Sequence, residues 1–298
     1  MKLLKSLPIL LLAGILASCG MSSTTEKAQT PSFHKVVDAE GNKIQLKQKP
    51  KKIVSLIPSN TEILFALGLG KEVKGVTAYD DYPKAAQKII KVVSTEVDTE
   101  KIIAMKPDLV LGHESSLNFQ KDAYKQLEEA KIPLFVVKDA QTLQSAEKTI
   151  EQIGQLTGTT DKAKAVVQRM EKQKASLQTK AAKQKKQPTV WIEISNDLYT
   201  AGDNTFMNEM LDLAGGKNIV TKKGYPKYNE EQVIKADPDV IITTYPNAKQ
   251  EIAKRKAWKN IRAVKDGRIY SLDADELSRP GPRLIDGVEE IYQAIYAK

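Results

Sequence analysis

"DTEKIIAMKPDLVLG", Asp98 to Gly112, and "NEEQVIKADPDVIIT", Asn229 to Thr243, read as one unit built twice. Each opens on a short polar residue, Asp98 or Asn229, whose side-chain oxygen can accept from the first free N–H groups of a helix. A short amphipathic helix carrying Ile or Val follows, then a Pro-Asp turn at Pro107-Asp108 and Pro238-Asp239. The residue before a proline is pushed out of helical geometry, so the helix ends there. The apolar runs Leu109 to Leu111 and Val240 to Ile242 then read as strands. Earlier in each half, "NTEILFALGLG" from Asn60 has a looser echo in "NTFMNEMLDLAGG" from Asn204, and "DYP" at Asp81 recurs as "GYP" at Gly224.

Such a repeat predicts two lobes of similar plan. Further strands are expected at Ile53 to Ile57, Val73 to Val76, Leu134 to Val137, Val190 to Ile194 and Ile269 to Leu272, alternating with helical patterns as parallel sheets require. The expected fold is therefore α/β, with two Rossmann-like lobes that each hold a parallel sheet. Between them, Asp161 to Lys186 carries Ala163, Val166, Val167, Met170, Leu177 and Ala181 close to helical spacing, with no Gly or Pro until Pro188. One helix there would reach nearly 40 Å at about 1.5 Å per residue. The expected boundaries are 35–160 for the first lobe, 161–187 for the connecting helix and 188–298 for the second lobe. A stiff strut leaves little hinge closure. It also leaves one cleft between the lobes, a preferred place for a small-molecule pocket.

"PSNTEILFALGLG", Pro58 to Gly70, ends in two glycines as dinucleotide-binding loops do, but they come after the helix rather than before it. Ser59-Asn60-Thr61-Glu62 fits a capping box opening a helix through Leu67, and Gly68 fits a left-handed cap at its end. The strand-to-helix turn is then Pro58-Ser59-Asn60. Strand carboxyl ends face the ligand crevice in doubly wound sheets, which makes Ser59 and Asn60 cleft-edge residues, Ser59 doubling as an N-cap.

Residues 1–18 read as an export leader: Lys2 and Lys5, an apolar core from Leu7 to Ala17, then small residues before Cys19. That core is shorter than the about 20 residues that span a bilayer. "LASC", Leu16 to Cys19, resembles a bacterial lipobox, in which the cysteine becomes the lipidated first residue. Two or more acyl chains there would hold the protein at a membrane surface. Cys19 is the only cysteine, so no internal disulfide forms. Residues 19–34 read as a flexible polar tether. The chain is basic, with 46 Lys and Arg against 37 Asp and Glu and a formal net charge of +9. Its densest cluster, Lys180, Lys183, Lys185 and Lys186, is interleaved with Ala and Gln rather than aromatics, which reads as a solvated helix face and not as a nucleic-acid site.

"KKIVSLIPSNTEILFALGLG" at Lys51, "GVTAYDDYP" at Gly75, "PDLVLG" at Pro107, "AGGKNI" at Ala214 and "SRPGPRLIDGVEEIY" at Ser278 carry a resemblance over nearly everything after the tether. In these segments the chain resembles the substrate-binding lipoproteins of ABC importers for cobalamin and ferric siderophores. These have the class III periplasmic-binding-protein fold, two lobes joined by one long helix. The resemblance implies a monomer, lipid-anchored on the extracytoplasmic face of the cell membrane. It would deliver a ligand to a permease with its ATPase subunits, without catalysis or a cofactor of its own. It also implies that Glu100 and Glu231, equivalent in the repeat, dock onto permease arginines. By itself, a Glu in a first helical turn is favoured by the helix dipole, by about 0.3–1 kcal/mol, whatever its function.

For the ligand, Tyr79 aligns with an aromatic contact of cobalamin-binding relatives, and Tyr225 in "GYPKY" takes the matching place on the second lobe. Asp275 and Arg279, in "DADELSRPGPR", align with polar contacts: a carboxylate to accept from ligand amides and a guanidinium to donate. Read alone, Arg279 is a surface arginine ahead of a terminal helix that Pro282 starts. His113 stands where some cobalamin binders carry Trp, and another expected aromatic falls near Glu96. An imidazole at position 113 could ligate the metal of haem or a corrinoid, or bond a ligand edge. Cobalamin or another corrinoid ranks first, a ferric siderophore second and haem third.

Other classes fit less of the chain. "HESSL" lacks the second histidine of H-E-x-x-H, and no G-x-S-x-G elbow or phosphate loop occurs. A carboxylate-based hydrolase would need an acid and base pair that no segment singles out. Two histidines, His34 and His113, are too few for a His-rich Zn or Mn receptor. A surface adhesion protein would suit the anchor but not the repeat and strut.

Overall fold

The computed structural model describes residues 35–297. The leader, Cys19 and the tether lie outside the described residues. A two-stranded antiparallel ribbon, β1 (Val36–Val37) and β2 (Lys43–Ile44), precedes the first lobe. That lobe contains β3 (Ile53–Ser55), α1 (Pro58–Ala66), β4 (Val73–Thr77), β5 (Ile90–Val93) and α2 (Thr99–Met105). It continues with β6 (Leu109–His113), α3 (Leu117–Glu129), β7 (Leu134–Val137) and α4 (Leu143–Thr157). Its sheet is parallel throughout, in the order β5-β4-β3-β6-β7. Ile53, Val54, Val110, Leu111, Phe135 and Val136 are buried because helices cover both faces, as parallel sheets demand.

The connecting helix α5 (Thr160–Ala182) has 23 residues, about 35 Å of length. It ends earlier than the sequence predicts. Residues 183–187 are all exposed, so no apolar face packs there to offset the entropy of helix formation. The second lobe holds β8 (Thr189–Glu193), α6 (Phe206–Leu213), β9 (Lys217–Asn218), α7 (Glu230–Ala236) and β10 (Val240–Thr243). It closes with α8 (Ala248–Lys254), α9 (Arg262–Lys265), β11 (Ile269–Ser271), α10 (Ala274–Ser278) and α11 (Leu284–Tyr296). These strands form a second parallel sheet, β11-β10-β8-β9. The fold is thus α/β, with two parallel-sheet lobes joined by one long helix.

The repeat is realised on both sides. Asp98 accepts from Lys101 N at 3.0 Å, and Asn229 accepts from Gln232 N at 2.9 Å while Gln232 Oε1 accepts from Asn229 N at 3.2 Å. Two local expectations are corrected. Ser59 does not cap α1: the N-cap is Ile57, extended and with no side-chain cap bond, and Pro58 occupies the first turn. Proline's fixed φ and missing N–H suit that position, so Ser59 is already inside the helix. Pro282 does not open α11, which begins at Leu284 after a turn closed by Leu284 N donating to Gly281 O at 3.2 Å. Gly68 does take the left-handed conformation, φ 73°, where its N–H reaches Phe65 O.

One apolar core runs from the first sheet through α5 into the second lobe, from Ile53, Ile63 and Leu156 through Val166 and Met170 to Val190, Met210 and Ile291. Glu209 of α6 adds a polar tie, accepting from Leu143 N at the start of α4 at 2.9 Å.

Candidate functional site

Each sheet reverses its strand order once, between β3 and β6 in the first lobe and between β8 and β10 in the second. Ligands of open α/β sheets sit outside the strand carboxyl ends at such switch points. In the first lobe the start of α1 and His113 meet there, Asn60 Nδ2 reaching the carbonyl of Gly112. Asn60 is buried and donates through Nδ2 to Gly112 O at 2.9 Å, while its Oδ1 has no protein partner. His113 is 3% exposed; its Nδ1 lies 2.8 Å from Ser115 Oγ and accepts from Ser115 N at 3.3 Å. The ring proton therefore belongs on Nε2, which like Ser59 Oγ has no partner. Burial pushes the imidazole below its ordinary pKa against the opposing charges of Asp139 and Glu114. Asn60 and His113 thus lie beneath the cleft surface, not on its wall.

Exposed aromatic rings stand on both lobes. Tyr79 is 62% exposed beyond β4, beside a cavity of about 410 Å³ lined by Ile57, Pro58, Thr77, Val93, Gln120 and Tyr124. Phe119, in the first turn of α3, is 85% exposed. The sequence reading passed over it, although an aromatic just after a strand's carboxyl end was a usable signal. Tyr225 comes from the second lobe, on a ribbon in which Tyr199 bridges Lys227 and Asp203 bridges Lys223. Gly202 lets the ribbon close, since a Cβ there would lie 1.8 Å from the Lys222 carbonyl oxygen. Tyr225 is half exposed; burial raises its phenol pKa, and the charge of Asp139, from the loop after β7, adds to the rise. Lys222 lies 5.4 Å from the centre of the Tyr228 ring, and Lys227 lies 5.4 Å from that of Tyr199.

At the second switch point sits a cluster that sequence reading missed. Glu193, fully buried at the end of β8, accepts from Arg255 Nη1 at 2.8 Å, Arg255 Nη2 at 2.7 Å and Trp191 Nε1 at 2.9 Å, and also from Tyr245 Oη. Burial and the Glu193 carboxylate hold the Tyr245 phenol well above its usual range. No local pattern joins residues so far apart in the chain.

Arg279, just after α10, reaches across to the first lobe, and Asp275 pairs with it. Arg279 Nη1 donates to Glu62 at 3.0 Å and to Asp81 at 2.6 Å, and Nη2 pairs with Asp275 at 2.8 Å. Arg283 donates to both oxygens of Glu62, at 2.9 and 2.8 Å. Glu62, 3% exposed, is thereby paired entirely across the lobes. For Asp81, Arg279 outweighs burial and holds the carboxyl low; burial pushes Asp275 up against the pull of Arg279, and the Asp81 charge adds to that rise.

Glu100 and Glu231 are both exposed in the first turns of α2 and α7. Among the described residues no helix is long and apolar enough to cross a membrane, and no three His, Cys, Asp or Glu side chains are disposed to hold a metal. A larger cavity, about 800 Å³, lies at the far end of α5 beside Asn208 and Asp212. It is a groove of mostly polar side chains that includes none of the exposed rings Tyr79, Phe119 and Tyr225, so the aromatic cleft is the better site.

The periplasmic binding protein profile matches residues 53–276. The chain belongs to that family. It is 43% identical to the ABC transporter substrate-binding lipoprotein YvrC of Bacillus subtilis, over 97% of this chain and 95% of the relative. Among solved structures it is similar to a possible iron-binding, periplasmic solute-binding protein of Staphylococcus epidermidis (TM-score 0.77, 38% identity, covering 84% of this chain and all of that one). It is also similar to the vitamin B12 binding protein BtuF of Vibrio cholerae (TM-score 0.68, 26% identity, covering 83% of this chain and 96% of that one).

Proposed function

We propose that the protein is the extracytoplasmic substrate-binding lipoprotein of an ABC importer, anchored through Cys19. It captures cobalamin or another corrinoid between the lobes and delivers it to a permease that Glu100 and Glu231 engage. The observation that carries this is the pair of exposed tyrosines, Tyr79 beyond β4 of the first lobe and Tyr225 on the ribbon of the second. Exposed rings give a large apolar chelate contact area at low entropic cost. The likeness to BtuF supports the corrinoid, and the similarity to YvrC supports the lipoprotein and the importer.

A ferric siderophore is the second reading, with haem third. Lys222 and Lys227 beside the aromatic ribbon favour an anionic chelate, and the likeness to the Staphylococcus epidermidis protein points the same way.

The test is thermal unfolding of a form beginning near Phe33 with cyanocobalamin, ferric siderophores or haemin. A ligand at a hundred times its dissociation constant adds about 2.7 kcal/mol, which raises the midpoint by several degrees. A rise with cyanocobalamin supports the corrinoid; a rise with an iron chelate alone replaces it with the second reading. No rise with any of them counts against both.

A further inference from the structure

Tyr79 poses a positioning problem. With its ring largely in solvent, packing does not hold it, so its backbone must. On the amino side the turn is built locally: Asp80 accepts from Thr77 N at 2.7 Å and Thr77 Oγ1 at 2.6 Å, and Tyr79 N donates to Thr77 Oγ1 at 3.1 Å. On the carboxyl side the support comes from the other lobe. Arg279 Nη2 donates to Tyr79 O at 3.3 Å, and Nη1 donates to Asp81 Oδ1 at 2.6 Å. Asp275 holds the same guanidinium on its own lobe at 2.8 Å.

We propose that Arg279 is a positioning residue for Tyr79, so that one side chain of the second lobe sets the aromatic wall of the first. This rests on the reading of Tyr79 as a cleft contact. Both terminal nitrogens of Arg279 are engaged by protein oxygens and its side chain is only 15% exposed, so the fork has little left to offer a ligand. Arg283 does different work. Its two bonds to Glu62 fasten α11 to α1, and its guanidinium lies 4.2 Å from the Tyr82 ring centre, without reaching Tyr79 or Asp81. Asp81 is 57% exposed in its side chain, and its ion pair with Arg279 is the part of the network nearest solvent. A planar fork suits this task, because it bonds a carboxylate and a carbonyl from fixed directions.

Hydrogen exchange of the segment Thr77 to Asp81 in the ligand-free protein tests the tie without any ligand. Arg279→Gln and Asp81→Asn are each expected to speed its exchange about ten-fold, as loss of a charge-assisted bond would. Arg279→Lys, which keeps the charge for Asp81, should fall between. Asp81→Asn guards against a folding defect, since it alters an exposed group. Titration with cyanocobalamin, a ferric hydroxamate and haemin supplies the second arm. For whichever probe binds, Asp81→Asn should weaken affinity several-fold, no more than Tyr79→Ala does, and change nothing further in a Tyr79→Ala background. Unchanged exchange in both variants, or additive losses of affinity, would overturn the proposal. If no probe binds, the functional reading fails and exchange alone decides the tie.

Discussion

At the switch point of the first lobe, Ser59 Oγ, Asn60 Oδ1 and His113 Nε2 are buried without protein partners; at that of the second, both oxygens of Glu193 are taken by Arg255, Trp191 and Tyr245. The two sites occupy equivalent places in sheets built from one repeat. An unpaired buried polar atom costs about 1–3 kcal/mol, whereas a bidentate arginine meets a carboxylate's needs from one side. Likeness of plan therefore does not carry likeness of role. The second lobe is framed at its switch point, and the first keeps uncommitted polar groups there.

The comparison can be broken where the lobes are alike and where they differ. The largest effect is expected from the shared feature: the double variant Glu100→Ala, Glu231→Ala should abolish uptake by cells while leaving ligand affinity intact. Normal uptake would remove the docking role. Glu193→Ala comes next. It strands Arg255 without its carboxylate and should cost about 3–5 kcal/mol in urea unfolding, as loss of one partner of a buried pair does. An unchanged midpoint would mean that the second switch point is no frame.

Tyr79→Ala and Tyr225→Ala should each weaken ligand binding several-fold, the scale of about 0.5–1.5 kcal/mol for an aromatic contact. Because both rings are exposed, unfolding midpoints should hardly move. A large loss of stability would place them in the framework instead. The smallest effect belongs to His113. Burial depresses its pKa in the folded protein, so the unfolded chain binds the proton more readily. Stability linked to the neutral ring is therefore full above the unfolded value of about 6.5 and is lost as pH falls through the folded one. Relative to His113→Gln, the wild type should lose stability below about pH 6.5, and parallel pH profiles would contradict it.

Much of the frame was legible because it is local. The caps Asp98 and Asn229, the Pro-Asp turns and the strand runs depend on neighbours a few residues away, and they fold as their spacing predicts. The reading of Ser59 failed for an equally local reason: Ser-Asn-Thr-Glu has the pattern of a capping box, but Pro58 before it claims the first turn. The site was legible only in part. Tyr79 and Tyr225 fall on exposed turns, as a strand-end position allows, but nothing near Arg279 in sequence announces Glu62 and Asp81 as its partners. Pairings such as Glu193 with Arg255 arise from the fold and cannot be read from spacing.

Glu62 has a consequence for the order in which the molecule is made. It lies early in the first lobe, yet the arginines that neutralise it, Arg279 and Arg283, stand 217 and 221 residues further on. A first lobe that emerges ahead of the second would carry a carboxylate shaped for burial with no cation to meet it. A segment made long after the first lobe thus completes it, and a chain cut short before Arg279 would betray itself through an unsealed lobe even if every strand of both sheets were present.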